Sequence, residues 1–465
     1  MRLDRLARSL VAFAAAAPVA LHAQGFGINE IGSCAIGRGQ AVTGAPCSDP
    51  SVIYWNPAAT VDLQGWSIYA GFAAIDVSGS FTSDSTAKET KATQPIAWVP
   101  NAFVNYTNKA GKWALGLGIY VPYGLTTEWP SDFAGAFEAF HTSISTIYAQ
   151  PNFAWRFAKN WSVGAGPVLG YSTVELEQAL DLSQQRAVPG TTFEQLGIAR
   201  GTEFAQAKLT GSSTAFGFNV GMHGTIDADW QVGLRFLSQL TFDYNDADAS
   251  FTQVPTGLHL AAGNPLQLPA GTSLDAFLAQ LFIPGGPLSS QKVSTTIKHP
   301  AQLEIGVGYT GFTNTTISAD FVFVDWSVFD QLPLIFKGPA AASSDTLLED
   351  YNNSWSARIG VEHAFSQGWR GRAGFSWVHS PAPDITVTPL LPDQDRYNIN
   401  LGVGVPLGSR YVLDAAYLYV GTSGRRGRTV DRSVNFNADA TADELNSGFY
   451  SLHANIFSVN LKANF

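Results

Sequence analysis

Apolar residues alternate with polar or small residues along many short stretches from Gly65 to the end of the chain. Trp113, Leu115 and Leu117 fall on one face of such a stretch, and the residues between them are Ala or Gly. The same pattern occurs at residues 216–223, where Phe, Val and Met oppose Gly, Asn and His. A period of two places successive side chains on opposite sides of a sheet. Each stretch is therefore predicted to be a β-strand with one apolar face.

Short and long connections take turns between the candidate strands. The strands are predicted to begin near Gly65, Pro95, Lys112, Ser143, Trp161, Ala205, Trp230, Lys292, Thr315, Asn352, Trp369, Gln394, Arg410 and Asn446. Tight turns are predicted near residues 108–111, 158–160, 227–229, 311–314, 366–368 and 408–409. Longer loops are predicted near residues 82–94, 122–142, 178–204, 248–290, 330–351, 381–394 and 423–445. This arrangement indicates an all-β transmembrane barrel of about fourteen antiparallel strands, as in bacterial outer membranes.

Composition agrees with strands that face lipid. Charged residues form 14% of the chain, whereas a typical soluble protein has about 25%. No apolar run is long enough for a membrane-spanning helix. The last strand ends in Phe465, with Phe457, Val459 and Leu461 on the same face, which resembles the terminal strand of outer-membrane barrels. The formal net charge of -10 argues against nucleic acid as a partner.

Residues 1–23 are predicted to be a secretory signal peptide. Three arginines precede a short apolar core, and Ala23 is a small residue that suits cleavage before Gln24. Residues 24–64 show neither a helical stripe nor sustained alternation, and such a piece does not bury enough apolar surface to fold alone. We therefore predict that residues 24–64 form a hatch (plug) inside the lumen. The barrel, with long extracellular loops, is predicted to comprise residues 65–465.

Both cysteines of the chain, Cys34 and Cys47, lie in the predicted hatch. Two cysteines in an exported protein favour a disulfide, which would close a small loop and stiffen a segment without a core. Two unpaired thiols are the alternative. Redox catalysis or zinc binding would need a tighter motif or more ligands, so no metal site is predicted.

Several short motifs resemble those of one known family. They are residues 25–30, residues 36–39, Asn56-Pro57-Ala58, residues 97–101, residues 123–128, residues 392–396 and the closing strand. In this order they resemble the FadL/TodX family of outer-membrane transporters for long-chain fatty acids and other hydrophobic compounds. The resemblance implies a barrel with an N-terminal hatch, an apolar lumen pocket, passive passage and lateral exit at a kinked third strand.

The resemblance also implies the partners and the location. The expected ligand is a long-chain fatty acid, with an aromatic hydrocarbon as the alternative. The protein is expected to be a monomer in outer-membrane lipid, without a cofactor. No Gly-x-Ser-x-Gly motif or phosphate-binding loop points to an enzyme. A general diffusion porin and a barrel lipase are the alternatives of another class.

Two positions are candidates for gating. Phe26, the third residue of the predicted mature chain, is expected to occupy the ligand pocket and to be displaced by the ligand; the alternative is an ordinary anchor for the hatch. Asn56, Pro57 and Ala58 form a turn that directs the chain into the first strand. The resemblance additionally places this turn opposite the gap in the wall.

The lateral opening is expected at Pro122, Tyr123 and Gly124. Proline removes a donor from the strand ladder and glycine adds backbone freedom, so strand pairing is expected to fail there. The alternative is that these residues mark the end of the third strand.

A helix is predicted in the longest loop, where Thr272 or Ser273 caps a stripe of apolar residues. The stripe consists of Leu274, Phe277, Leu278, Leu281 and Phe282. An exposed apolar patch usually marks binding, so an external capture groove is predicted. Packing against a neighbouring loop is the alternative.

The sequence does not identify which residue would bind a carboxylate. Fatty-acid members of the resembled family place an arginine at the upper end of the fifth strand, and Gln178 stands at that position here. An amide does not pair with a carboxylate as a guanidinium does. Arg235, Arg358, Arg372 and Arg370 on lumen faces are the candidate substitutes, with Glu304 and Glu362 as their neighbours.

Overall fold

The protein is described by a computed structural model that covers residues 25–84, 86–264, 266–341, 344–427 and 447–465. The predicted signal peptide lies outside the described residues, as does most of the predicted loop at 423–445. Within the described ranges, no helix is long and apolar enough to cross a membrane.

Fourteen antiparallel strands form one closed wall, in which β1 pairs with both β2 and β14. The strands span Gly65–Ser83 (β1), Ala97–Thr107 (β2), Trp113–Tyr120 with Gly124–Glu128 (β3), His141–Ala158 (β4), Trp161–Asp181 (β5), Glu203–Thr225 (β6), Trp230–Leu237 with Leu240–Gln253 (β7), Gln291–His299 with Gln302–Phe312 (β8), Thr315–Val324 with Gln331–Lys337 (β9), Asp345–Leu348 with Ser354–Ala364 (β10), Arg370–Val378 (β11), Arg396–Leu407 (β12), Tyr411–Thr422 (β13) and Gly448–Asn464 (β14). The predicted fold class is therefore confirmed.

Side chains alternate across this wall as a lipid-facing barrel requires. Phe216, Trp98 and Phe457 point outward and are 78%, 64% and 57% exposed in the isolated chain. Their strands bury polar inward neighbours such as Asn219 and Asn460. An apolar outer band with a polar interior matches the pattern of outer-membrane barrels.

β5 and β7 run past the points at which the sequence predicts loops. β5 continues to Asp181 and β7 to Gln253. The outward side chains at these strand ends, such as the exposed Asp248, are polar. Apolar residues such as Val174 and Ala249 instead belong to the core inside the barrel, so the outward apolar face that marks a lipid-facing strand does not continue to the strand ends.

Five strands are interrupted. β3, β7, β8, β9 and β10 each consist of two pieces, separated by residues 121–123, 238–239, 300–301, 325–330 and 349–353. Aromatic side chains from three of these breaks, Tyr123, Trp326 and Tyr351, are buried inside the barrel. Ring centroids of Tyr123 and Trp326 lie 6.2 Å apart, and those of Trp326 and Tyr351 lie 6.0 Å apart. The breaks in β3, β9 and β10 therefore meet in the lumen.

Residues 25–64, here called the N-terminal segment, lie inside the wall and are almost entirely buried. They contain α1 (Ser33–Gly37), α2 (Val52–Trp55) and a 3-10 helix at Pro57–Asp62. The predicted disulfide between Cys34 and Cys47 is confirmed.

Polar side chains on the inner face of the wall hold the N-terminal segment. Ser33 Oγ donates to Asn460 Oδ1 at 2.8 Å, and Thr43 Oγ1 donates to Glu304 Oε2 at 2.8 Å. At Gly360, a Cβ atom would stand 2.1 Å from the carbonyl oxygen of Arg38. The small inward residues of the strands thus leave room for the backbone of this segment.

The connections between strands contain further short elements. These are strands at Glu89–Lys91, Arg186–Val188, Thr191–Thr192 and Arg425–Arg426, helix α3 at Leu274–Leu278, and 3-10 helices at Ala134–Phe137, Glu194–Leu196, Ala279–Leu281, Trp326–Val328, Ser366–Gly368 and Asp384–Thr386.

Candidate ligand-binding site

The wall has an opening between β2 and β3. The two strands pair only from Ala102 opposite Ile119 to Thr107 opposite Ala114. Beyond that point β3 leaves the ladder for three residues and then pairs with β4 alone. At the far end of the unpaired gap between β2 and β3, the Thr93 N–H donates to the Glu128 carbonyl oxygen at 2.7 Å. The backbone therefore frames a window in the wall, which we call the wall opening.

The N-terminal segment covers the free edge of β3 at the wall opening. The Ile28 N–H donates to the Pro122 carbonyl oxygen at 2.8 Å, and the Gly124 N–H donates to the Phe26 carbonyl oxygen at 3.0 Å. Gly27 and Tyr123 form the antiparallel bridge between them. An unpaired strand edge favours pairing with another extended chain. Here the start of the N-terminal segment supplies that chain.

A cavity of about 420 Å³ lies at this position, within the usual size range of ligand pockets. It is lined on the inside by residues such as Val99 and Ile75, and on the outside by Trp98, whose side chain faces away from the lumen. Ile28 and Gly124 also line it. The cavity therefore reaches both faces of the wall.

Phe26 is packed in an aromatic cage beside this cavity and is 2% exposed. Its ring centroid lies 4.7 Å from that of Trp326, 5.3 Å from Phe329, 5.5 Å from His299 and 6.0 Å from Tyr123. The four pairs adopt edge-to-face geometry, which aromatic rings favour. The ring of Phe26 thus occupies an apolar site next to the wall opening, a position that also fits the alternative of an ordinary anchor for the hatch. Its displacement by a ligand stays a prediction.

Two buried nitrogens in the aromatic cage have no hydrogen-bond partner among the described residues. They are Nε2 of His299 and Nε1 of Trp326. The other ring nitrogen of His299, Nδ1, lies 3.0 Å from the hydroxyl of Tyr148. Buried polar groups normally have partners, so these two atoms could bind a polar atom that replaced Phe26.

Tyr123 ties the interrupted part of β3 to the opposite side of the lumen. Its hydroxyl donates to the Pro300 carbonyl oxygen at 2.9 Å and accepts from Gln302 Nε2 at 2.7 Å. Pro300 lies in the break in β8, and Gln302 is the first residue of the strand piece that follows it. The predicted lateral-opening residues Pro122, Tyr123 and Gly124 therefore stand at the break in β3, and two of the three bond to the N-terminal segment through the backbone.

The polar end of the cavity lies just before β12. Arg396 Nη2 is 3.2 Å from Asp393 Oδ1 and donates to the Gly25 carbonyl oxygen at 3.3 Å. The Gly25 N–H donates to Asp393 Oδ2 at 3.2 Å, and Ser380 Oγ donates to the same atom. Burial raises the pKa of the Asp393 carboxyl, while Arg396 opposes that rise. This group fixes the start of the N-terminal segment.

The predicted carboxylate partners are not at the cavity. Arg235 is fully buried, pairs with Glu304 at 2.6 Å and lies 4.1 Å from the ring centroid of Tyr54. Gln178 Nε2 donates to the Phe137 carbonyl oxygen at 3.0 Å.

Two further candidates serve the packing of the barrel interior. Arg358 donates to the Gln40 carbonyl oxygen at 3.3 Å, and Arg372 pairs with Glu362 and Asp414. Carboxylate binding by Gln178, Arg235, Arg358, Arg370 or Arg372 stays a prediction, and the geometry gives it no support because none of the five lines the cavity.

The predicted gate turn also lies elsewhere. Asn56 Nδ2 donates to the Thr43 and Met222 carbonyl oxygens, and its Oδ1 accepts from the Ala58 N–H. A Cβ atom on Gly164 of β5 would meet the backbone of Pro57 at 2.5 Å. Asn56, Pro57 and Ala58 thus form a cap against β5 and β6 rather than part of the cavity. Their role as a gate stays a prediction.

The predicted external groove is one apolar cluster between two connections. Leu274 and Leu278 of α3 are buried against Leu182, Phe193 and Phe204 from around the β5–β6 connection. Phe277, Leu281 and Phe282 are partly buried against the same cluster. Packing against a neighbouring loop is therefore present, and the capture of a ligand stays a prediction.

Sequence reasoning missed Arg396, Glu30 and Trp326. Arg396 is the one arginine among the described residues that lines the cavity, and Glu30 lines it too. The motif at residues 392–396 was the only signal for Arg396. Trp326 lies in the break within β9, and no local pattern in the sequence sets it apart.

Comparisons with known proteins agree with this architecture. The family model described as "Outer membrane protein transport protein (OMPP1/FadL/TodX)" matches residues 13–465. The long-chain fatty acid transport protein of Escherichia coli O6:H1 is 26% identical over 408 residues, which cover 85% of this chain and 86% of the relative.

Two solved structures share the fold. A Pseudomonas aeruginosa FadL homologue has a TM-score of 0.74 at 20% identity and covers 95% of this chain and 100% of its own. The Pseudomonas putida toluene transporter TodX has a TM-score of 0.67 at 14% identity, with the same coverage. Since the family model spans nearly the whole sequence, the protein is an outer-membrane transport protein and not an enzyme. The chain belongs to the OMPP1/FadL/TodX family of outer-membrane transport proteins.

Proposed function

We propose that the protein carries hydrophobic small molecules, and long-chain fatty acids first of all, passively across the outer membrane through the wall opening. The observation that carries this proposal is the cavity that reaches both faces of the wall between β2 and β3. The barrel acts as a monomer, and residues 24–64 act as a hatch behind a removable signal peptide of residues 1–23. The rim with the long connections faces the outside.

The route begins at the apolar cluster around α3, which collects the ligand. The ligand then replaces Phe26 in the aromatic cage, and the backbone bonds from Phe26 and Ile28 to β3 break. With the edge of β3 free, the ligand leaves sideways between β2 and β3. No energy input is needed, because the concentration gradient moves the ligand.

Two ligand classes fit this route. A long-chain fatty acid is supported by Arg396 at the polar end of the cavity and by the names of the fatty acid transport relatives. An aromatic hydrocarbon is the second candidate. It is favoured by the pairing of Arg396 with Asp393, which leaves no unpaired arginine in the described cavity lining.

A thiol placed in the opening tests lateral exit. Ala97 lines the cavity on the inner face of β2. We expect Ala97→Cys, once modified with a bulky apolar thiol reagent, to lose at least about tenfold in the initial rate of oleate uptake, because the attached group fills the exit. Uptake is measured with radiolabelled oleate in cells that lack their own fatty acid transporter. The native disulfide leaves no other reactive thiol in the mature chain.

The matched control is Ala102→Cys, which lies on the outward face at the first closed pair of β2 and β3. The same label there should leave uptake unchanged. Full uptake by labelled Ala97→Cys, with labelling verified by mass spectrometry, would rule out this exit.

A further inference from the structure

The charged groups that line the cavity do not balance. They are two carboxylates, Glu30 and Asp393, and one guanidinium, Arg396. His453 also lines the cavity, on the exposed outer side. The described lining therefore contains one more carboxyl group than guanidinium group.

Arg396 is not available for a second carboxylate. It pairs with Asp393 at 3.2 Å and donates to the Gly25 carbonyl oxygen at 3.3 Å. If Arg396 turned to a ligand, Asp393 would keep a buried charge without its partner, which is strongly unfavourable. The single positive charge of the cavity is thus committed to the protein.

Glu30 is the lining carboxyl for which no ion pair is formed among the described residues. Burial raises the pKa of its carboxyl, and attraction to Arg396 and Arg358 lowers the pKa by less. Arg358 bonds to the Gln40 carbonyl oxygen and lies 5.6 Å from the ring centroid of Trp55, so it is held in the packing of the N-terminal segment. Among the described residues, no lysine or arginine forms an ion pair with Glu30.

A second carboxylate in the same cavity would meet strong repulsion. Two carboxyl groups that share a buried site do not both ionise, and they retain one proton between them. Asp393 is a poor partner for such sharing, because Arg396, Ser380 and the Gly25 N–H already satisfy it. Glu30 is therefore the carboxyl that can share a proton with the ligand.

We propose that the cavity binds an acidic ligand together with one proton, which the ligand carboxyl and Glu30 share. A neutral ligand such as an alcohol or an aromatic hydrocarbon binds without a proton. The proton comes from solvent and returns to it when the ligand leaves, so no bond of the ligand changes. This inference rests on the proposed function, because it concerns the ligand of the same cavity. It explains how one site serves acids and neutral compounds.

The test counts protons. Dodecanoic acid and dodecan-1-ol are titrated into the purified full-length protein in lipid nanodiscs at pH 8, by calorimetry in buffers of different ionisation enthalpy. We expect uptake of about one proton per bound acid and none per bound alcohol. The affinity for the acid should fall about tenfold per pH unit between pH 7 and 9, while the affinity for the alcohol stays constant.

Glu30→Gln removes the carboxyl and keeps its shape. In this variant we expect the acid to bind without proton uptake and with an affinity that no longer changes with pH. Asp49→Asn is the control, because Asp49 is a carboxylate of the same N-terminal segment that is buried and does not line the cavity. It should retain the proton uptake.

Three results would overturn the inference. They are acid binding to the unmodified protein at pH 8 without a proton, unchanged proton uptake in Glu30→Gln, and loss of proton uptake in His453→Gln alone. The proposed function fails in a different way, namely if neither the acid nor the alcohol binds to the unmodified protein.

Discussion

Phe26 shows how a single side chain can compete with a ligand. Its ring fills an apolar cage made by residues from the breaks in β3 and β9 and by His299 of β8, and its backbone covers the edge of β3. Burial of a phenylalanine is worth about 2 kcal/mol, which is the free energy that a ligand must exceed to enter the cage. Under the proposed route, Phe26 therefore weakens binding because the ligand has to displace its ring.

Removal of this ring should strengthen binding. We expect Phe26→Ala to bind dodecan-1-ol about tenfold more tightly, because the ligand no longer displaces an aromatic side chain. Equilibrium quenching of tryptophan fluorescence in nanodiscs measures the affinity. Phe81→Ala is the control, since Phe81 is equally buried but does not line the cavity. Weaker binding by Phe26→Ala would show that the ring supports the site instead.

Individual site residues were only partly predictable. Phe26 and Pro122 could be placed because a proline interrupts a strand by its own chemistry and because the N-terminal motif is local. The carboxylate partners could not be placed from the sequence. Arg235, Arg358 and Arg372 point inward, as their strand positions predict, but the interior is occupied by the N-terminal segment. Which arginine reaches the cavity depends on that packing. The packing cannot be deduced from the alternation along a single strand.

The N-terminal segment acts as two elements with different attachments. Its start is held by a few backbone bonds to β3 and by Asp393 and Arg396. The part from Ser33 onward is cross-linked by the Cys34–Cys47 disulfide and bonded to the wall through Ser33, Arg38 and Thr43. Local opening therefore costs much less at the start than in the cross-linked part.

Loss of the disulfide should loosen the cross-linked part alone. We expect the double variant Cys34→Ser with Cys47→Ser to lose about 3 kcal/mol of local stability, since the cross-link no longer limits the unfolded loop. Hydrogen exchange followed by mass spectrometry should show amides of residues 34–47 exchanging about a hundredfold faster, with β-strand amides as the internal reference. Unchanged exchange in this region would mean that the contacts with the wall hold these residues in place without the disulfide.

The sequence reveals the strands better than their interruptions. Period-two alternation is strong wherever one face meets lipid, so each strand except β10 is found close to its predicted start. β10 begins at Asp345, inside the predicted loop at 330–351. The break in β8 has a proline, Pro300, as a cause that could have been recognised. The break at Ser238 and Gln239 in β7 has no comparable signal, because nothing in these residue types prevents pairing.

At the scale of the whole molecule, the inner face of the barrel and the N-terminal segment fit each other in shape. The inward glycines of the strands, read from the sequence as a small face, stand where the N-terminal segment touches the wall. At Gly233, for example, a Cβ atom would lie 1.9 Å from the Thr43 carbonyl oxygen. A water-filled porin would have no need of such close approaches, because its lumen is open.

The filled lumen should block ions. We expect the purified protein in planar bilayers to show no steady conductance step of the size given by a general diffusion porin, because residues 25–64 occupy the lumen. A porin reconstituted in the same bilayers provides the reference. A variant that lacks residues 25–31 should also conduct poorly, since the disulfide-linked part remains in place. Large, steady steps from the unmodified protein would argue for the porin alternative.

The bonds of the Tyr123 hydroxyl to β8 make the two margins of the wall opening unequal. The β3 margin is braced across the lumen by Pro300 and Gln302. The β2 margin, residues 97–101, is hydrogen-bonded through its ladder to β1 alone. If cargo leaves through the wall opening as proposed, the opening should widen by movement of β2. The flexibility of that single strand should then limit the diameter of the largest cargo that passes.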